Sequence, residues 1–231
     1  MRRSLEQRIL NAMLLGGIGA ALSACGGSDG PKLPQLAAAS PGTLQSCTDV
    51  ATKAAPANTT IASATVVAAG GLAVAGITTP MPEHCLVKGE MNRRTSAVDG
   101  KSYAIGFEMR LPIAWNGRFF YQANGGIDGS VVTATGPNSG GAPVSNALQM
   151  GFAVISSDAG HSGPPWWGLD PQARLDYGYQ ANGKLAPMAR QLITAYYGEA
   201  PKRSYMMGCS NGGRHAMVAA SRYASQFDGV I

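Results

Sequence analysis

The chain of 231 residues predicts an α/β fold in which strands of a mostly parallel sheet alternate with helices. Three stretches carry that reading. Arg203 to Arg222 runs from a short apolar segment through a glycine-rich turn into an alanine-rich amphipathic segment, the pattern of strand, turn and helix. Arg118 to Ala123 is a compact strand pattern followed directly by the glycine-rich Asn124–Gly129. Between them, Phe152 to Ser156 reads as a parallel strand, and Leu185, Met188, Ala189, Leu192, Ile193 and Tyr196 recur at the spacing of a helix with one buried stripe.

At the N-terminus, Arg2, Arg3 and Arg8 precede an apolar run from Ile9 to Leu22, followed by Ser23-Ala24-Cys25. A basic segment and an apolar stretch of this length form a signal peptide, too short for a lasting bilayer-spanning helix. Its ending resembles the lipobox of bacterial lipoproteins, which makes Cys25 the expected lipidation site. The expected location is exported: an outer-membrane lipoprotein, or a periplasmic or secreted protein. Contact with a membrane is expected only through that lipid anchor.

Gly26 to Ser46 is rich in Gly, Ser, Pro and Ala without periodicity and reads as a flexible linker. From Cys47 to Ile231 the composition is globular, about 185 residues, enough for one modest domain. Loss of residues 1–25 removes Arg2, Arg3, Arg8 and Glu6 and lowers the net charge from +5 to +3. With sparse charges and no basic run interleaved with aromatics, nucleic acid is excluded as a partner.

Four cysteines in an exported chain point to disulfides. With Cys25 lipidated, Cys47 and Cys85 form the natural pair, flanking an Ala/Thr/Val-rich segment, and Cys209 is left without a partner. The three histidines are scattered and no cysteines pair at zinc spacing, so no metal and no cofactor are expected.

Along the middle of the chain, Tyr103, Ile105, Phe107, Met109 and Leu111 alternate with mostly polar or small residues, the period of a half-buried strand that Pro112 ends. Trp115-Asn116-Gly117 is a turn. Val144 to Met150 reads as a short helix, and Ser157 to Gly163 as a polar loop. Trp166 and Trp167 follow in a Pro/Gly-rich stretch; such a pair more often packs a loop than stacks on an aromatic substrate, and the same holds for Tyr177 and Tyr179.

The residue types at Gly208-Cys209-Ser210-Asn211-Gly212 carry chemistry. A nucleophilic serine on a tight strand-to-helix turn sits in a strained backbone, and glycines at the flanking positions avoid a clash with it. The turn lifts the Ser210 hydroxyl clear of the sheet and aims the Asn211 N–H at the place where an oxyanion forms, at the positive end of the helix. The glycines leaving the Arg118–Ala123 strand are candidates for the second oxyanion donor, either Gly125 or Gly126.

Pro112 to Gly129, Ser157 to His161 and Gly208 to Arg214, in this order and spacing, resemble the tannase and feruloyl esterase family, which includes bacterial hydrolases of mono(2-hydroxyethyl) terephthalate. The resemblance runs from about Cys47 to Ile231, and its most specific element is the cysteine directly before the nucleophile. It implies an α/β-hydrolase fold and serine esterase activity on small aromatic carboxylic esters through an acyl-enzyme. It matches Ser210 to the nucleophile and Cys47–Cys85 to an N-terminal disulfide. It also implies a disulfide from Cys209 to a cysteine directly before the catalytic histidine.

In α/β-hydrolases the acid and the base follow the nucleophile, yet only 21 residues follow Ser210 here. The chain is therefore expected to be the N-terminal part of the fold, truncated after the nucleophile helix, without its lid, and inactive alone. His215 is expected to face away from the Ser210 hydroxyl as a surface or helix-packing residue. His161 is expected to be structural or substrate-adjacent, and His84 to lie at the surface. Two other readings stay open: a catalytically inactive truncated lipoprotein, and a prolyl-oligopeptidase-type serine peptidase, against which Cys209 argues.

Overall fold

The computed structural model describes residues 44–137, 145–163 and 165–231. The leader, Cys25 and the linker up to residue 43 lie outside the described residues. Helix α1, Leu44–Lys53, opens the described part. Seven strands form one sheet: β1 Thr59–Val67, β2 His84–Thr95, β3 Ser102–Pro112, β4 Arg118–Ala123, β5 Ala153–Ser157, β6 Arg203–Gly208 and β7 Gly229–Val230, in the order β1-β2-β3-β5-β4-β6-β7. Helices α2, Pro171–Leu175, and α3, Ala181–Tyr197, connect β5 to β6, and α4, Asn211–Arg222, follows β6.

The sheet is mixed rather than mostly parallel. β1, β2 and β3 form an antiparallel meander, and β3 also runs antiparallel to β5. The parallel half is β5, β4, β6 and β7. Strand β1 lies in the Ala/Thr/Val-rich stretch between Cys47 and Cys85, and β2 starts where that stretch ends. The Cys47–Cys85 disulfide, with its Cα atoms 5.4 Å apart, ties α1 to β2. Such a bond fits an oxidising compartment outside the cytoplasm.

β4 sits where the chain changes direction: its successor β5 lies on one side and β6 on the other. The loops leaving β4 and β6 therefore open together at their C-terminal ends, with Ala123 paired to Gly208. One face of the sheet packs Phe119, Tyr121 and Met206 against Leu185, Ala189, Leu192 and Ile193 of α3 and Ala216 and Ala219 of α4. The other face packs Phe120, Phe152 and Val154 with Met81, Ala147 and Leu148. α3 keeps its stripe despite Pro187, whose ring removes the donor to the Gly183 carbonyl; Gln226 Nε2 donates to that oxygen instead, at 3.4 Å.

Two local expectations are corrected. Residues 145–150 form a β-bridge and turns, not a helix. Asn146 bridges to Pro137, the N–H groups of Ala147 and Leu148 donate to Gly136 and Thr135, and Asn146 Oδ1 accepts from the Gln149 N–H at 2.9 Å, so the backbone is committed across the chain instead of along it. His84 is fully buried, not superficial: its Nδ1–H donates to the Pro82 carbonyl at 2.7 Å, leaving Nε2 to accept from Arg110 at 2.6 Å. Burial, reinforced by the Arg110 charge, holds its pKa below the ordinary histidine value. Arg110 in turn pairs with buried Glu108, so the polar positions of β3 are covered as well as its apolar ones.

Asp170 joins the meander to the helical connection. Its carboxylate takes both terminal nitrogens of Arg94 on β2 and caps α2 by accepting from the Ala173 N–H at 2.6 Å. The hydrogen-bonded Arg94 guanidinium holds the Asp170 carboxyl down at about 2. The folded value lies below the ordinary 3.8, so the stabilisation is present above about pH 4 and is lost as the pH falls through about 2. Asp170→Asn keeps an oxygen to cap α2 but loses the charge that Arg94 pairs with, and is expected to lower the unfolding free energy by about 1–2 kcal/mol at pH 7. Urea titrations at a series of pH values should show that deficit narrowing toward pH 2.

Candidate active site

The turn between β6 and α4 is held by close backbone approach. Ser210 has φ 59° and ψ −120°, outside the regions that side-chain-bearing residues favour. A Cβ on Gly208 would stand 2.4 Å from the backbone of Gly212, and a Cβ on Gly212 would stand 2.4 Å from the Ala123 carbonyl oxygen. Both glycines of Gly-x-Ser-x-Gly are thus required by contact, whereas Gly213 meets nothing closer than the Gly208 oxygen at 3.7 Å. Ser210 and Cys209 are exposed at the crest, and Cys209 is a free thiol.

The neighbouring loop starts from a buried anchor. Asn124 Nδ2 donates to Ser156 Oγ at 3.0 Å and to the Ser157 carbonyl at 2.8 Å, and its Oδ1 accepts from Gln122 Nε2 at 3.1 Å. Gly125 then passes the elbow, where an added Cβ would lie 3.6 Å from the Cys209 carbonyl oxygen; Gly126, at φ 67°, faces open space. Asp128 turns the chain back in the left-handed region, at φ 56°, and points its carboxylate inward.

Two of the three described histidines spend their ring nitrogens on other groups, His84 on Pro82 and Arg110 and His215 on Asp128 and Asn182. His215, on the first turns of α4, is 2 % exposed. Its Nε2–H donates to Asp128 Oδ2 at 2.8 Å, while Nδ1 lies 3.2 Å from Asn182 Nδ2, which donates to it. It is a helix-packing residue, not a surface one. His161 is buried, stacked on Trp167 with ring centroids 4.0 Å apart and met edge-on by Tyr177 at 5.3 Å. Burial pushes its pKa down. Trp167 therefore packs the loop, while Trp166 is 62 % exposed.

Asp158, the neighbour of that loop, receives the N–H groups of Gly106 at 3.0 Å and Gly160 at 2.8 Å. Burial nevertheless raises its pKa to about 7. Near the end of the chain, Asp228 Oδ2 accepts from the Ser204 N–H at 2.8 Å, fastening the approach to β7 onto β6. A cavity of about 440 Å³ lies elsewhere, lined by Phe120, Phe152, Tyr205, Met207 and Val230 among others, and does not include Ser210, Gly125 or Gly126.

The structure therefore brings together the exposed Ser210, the N-terminus of α4 and the Gly125–Gly126 loop. The residues that sequence reasoning missed are Asp128 as the partner of both Asn211 and His215, Asn182 behind His215, and Tyr177 against Asn211. No local pattern marks them, because each contact joins residues at least 33 apart in the chain.

A mixed sheet with helices, crossing at β4 and carrying a serine on a strained strand-to-helix turn, defines the α/β-hydrolase class of fold. It superimposes on the crystal structure of feruloyl esterase B from Aspergillus oryzae with a TM-score of 0.67 and 25 % identity, over 81 % of this chain and 36 % of that one. The tannin acyl hydrolase of Aspergillus niger shares the fold at a TM-score of 0.58 and 22 % identity, over 83 % of this chain and 37 % of the other. In sequence, the chain is 40 % identical over 161 residues to the mono(2-hydroxyethyl) terephthalate hydrolase of Piscinibacter sakaiensis, covering 65 % of this chain and 26 % of that protein. The family model for tannase and feruloyl esterase matches residues 85–231. The chain belongs to the tannase and feruloyl esterase family. It spans about a quarter of the length of the first curated relatives it matches.

The elbow geometry separates the two adjacent glycines of this turn. Gly212→Ala forces a backbone shift at Ala123 and is expected to lower stability by about 2–3 kcal/mol. Gly213→Ala, inside α4 with room for its methyl group, should be neutral or stabilising by up to about 1 kcal/mol. Equilibrium unfolding of the two variants side by side checks the contrast.

Proposed function

We propose that the full-length protein is a serine esterase that hydrolyses small aromatic carboxylic esters through an acyl-enzyme. The observation that carries the reading is the Ser210 backbone at φ 59° and ψ −120°, exposed at the crest between β6 and α4 in a chain of this family. Strain of that kind persists where the surrounding structure over-determines it, here the Gly208–Gly212 and Gly212–Ala123 contacts. The substrate class draws on the ester hydrolases named above, which act on terephthalate and ferulate esters by their names.

In this reading the Ser210 oxygen attacks the ester carbonyl carbon and gives up its proton to a base. The carbonyl oxygen becomes an oxyanion held by the N–H of Asn211, at the positive end of α4, and by the N–H of Gly125 or Gly126. Collapse of the tetrahedral intermediate breaks the carbon–oxygen bond to the alcohol, which leaves with the proton. Water then repeats the sequence on the acyl-enzyme, releasing the acid and restoring Ser210. The base and the acid that orients it come from outside the described residues in this reading: His84 and His215 are hydrogen-bonded to Arg110 and Asp128, and His161 is buried against Trp167 and Tyr177. Cys209, free and exposed beside the nucleophile, pairs in this reading with a cysteine next to that base. The leader and Cys25 take the protein out of the cytoplasm and anchor it by lipid. The chemistry calls for no cofactor.

The test is Ser210→Ala in the full-length protein, assayed with an aryl ester and with a fluorophosphonate probe. Loss of labelling and a fall in turnover of about 10³-fold or more are expected. Undiminished turnover by the variant would sink the assignment, and a full-length wild type that neither turns over ester nor takes the probe would sink the esterase reading itself.

A further inference from the structure

The Asn211 side chain, next to the nucleophile, has its whole hydrogen-bonding capacity filled. Its Oδ1 accepts from Tyr177 Oη at 3.1 Å and from Arg214 Nε at 2.8 Å; its Nδ2 donates to Asp128 Oδ2 at 2.6 Å and, more weakly, to the Asn124 carbonyl at 3.5 Å. The two acceptors of Nδ2 both belong to the loop that carries Gly125 and Gly126. Asp128 Oδ2 also accepts from His215 Nε2 at 2.8 Å, and both side chains of that pair are 2 % exposed. Behind it, Asn182 donates to His215 Nδ1 and accepts from Tyr121 Oη at 3.3 Å, which fixes the ring so that its Nε2–H faces Asp128.

We infer that Asp128 is a positioning residue that locks the two halves of the oxyanion site together, with His215 as the buried post that holds its carboxylate in place. The inference rests on the esterase reading of Ser210. The geometry gives the reason. One half of the site is the Asn211 N–H at the start of α4; the other is a glycine N–H on a loop whose further fastenings, Asn124 to Ser156 and Ser157 and the Gly129 N–H to the Asp158 carbonyl at 3.2 Å, lead to the end of β5 and not to the helix. A single carboxylate oxygen bonded at once to Asn211 and His215, two residues of α4, sets that distance. Its desolvation is offset by those two donors, whereas a surface aspartate would leave the loop free to drift. A misplacement of about 1 Å in such a site costs on the order of 10²-fold in rate. Asp128 touches no reacting atom in this scheme.

The experiment uses the full-length protein with an aryl ester substrate, a phenylboronic acid as mimic of the tetrahedral intermediate, and the acid product as ground-state ligand. Asp128→Gly deletes the carboxylate while accepting the left-handed backbone. It is expected to lower kcat by about 10- to 100-fold with KM little changed. Boronate affinity should fall by the same factor while product affinity holds. Asp128→Asn keeps an oxygen where Oδ2 stood and should restore most of kcat. His215→Gln, which still offers a donor to Asp128, should stay near wild type, and His215→Leu should follow Asp128→Gly. Should Asp128→Gly fail to fold, Asp128→Asn and the two His215 variants carry the same comparison. Unchanged kcat and boronate affinity in Asp128→Gly or His215→Leu would overturn the inference, as would losses that only track the fraction folded. A wild type that is inert to ester and to fluorophosphonate would remove the esterase reading first, a result distinct from active wild type with silent Asp128 and His215 variants.

Discussion

The contact on which the rest depends is the passage of α4 over the end of β4, where the Gly212 backbone rests against the Ala123 carbonyl. No other residue type fits there. That approach forces Ser210 into its strained conformation, exposes its hydroxyl, and brings the N-terminus of α4 beside the loop that leaves β4. It is possible because β4 and β6 are parallel neighbours ending at the same level, Ala123 against Gly208. The crossing order of the sheet, with β5 on one side of β4 and β6 on the other, thus delivers the site as a by-product of topology.

Around that contact the asparagine amides and the Asp128 carboxylate are hydrogen-bonded, and desolvation explains why. A buried amide or carboxylate left unpaired costs about 1–3 kcal/mol or more. Asn124, Asn182 and Asn211 are each shared between two elements of structure, and Asp128 carries two donors on one oxygen. Each of these side chains would be a liability if its neighbour shifted, so the network favours one arrangement of loop and helix over all others. Asp158 shows the opposite balance. Two backbone N–H groups face its carboxylate, but burial still outweighs them and raises its pKa to about 7.

What was legible in the sequence is what has a short-range cause. The Gly208–Gly212 spacing is dictated within five residues, the α3 stripe by helical period, and the Cys47–Cys85 pair by elimination among few cysteines. The antiparallel meander was not read. β1 and β2 carry burial on an irregular pattern, and β3 buries Glu108 and Arg110 through a mutual ion pair that no alternation signals. The burial of His84 is hidden for the same reason: its polar partner inside the protein is Arg110, 26 residues away. The helix expected before Met150 was lost to hydrogen bonds with Thr135 and Gly136. For His215 the helical pattern signals packing, while Asp128, its partner 87 residues distant, leaves no trace in the local pattern.

The meander does more than extend the sheet. Arg94 on β2 grips Asp170, Asp170 caps α2, and α2 leads into the wide helical turn of residues 176–180. Arg214 of α4 donates to the carbonyls of Tyr177 and Gly178 within that turn and lies over the Tyr177 ring at 4.3 Å. Tyr177 then reaches Asn211. A continuous set of hydrogen bonds therefore runs from the antiparallel meander to Asn211, the residue after Ser210, without passing through the parallel strands. Turns of this wide kind recur at functional sites, and two carbonyls of this one accept from a side chain. Here the acceptors take Arg214, and the same guanidinium that closes the turn holds the Asn211 amide from the side opposite Asp128. The amide is fixed from two directions by groups from two different parts of the chain, which is the mechanical condition for keeping one backbone N–H aimed at a fixed point.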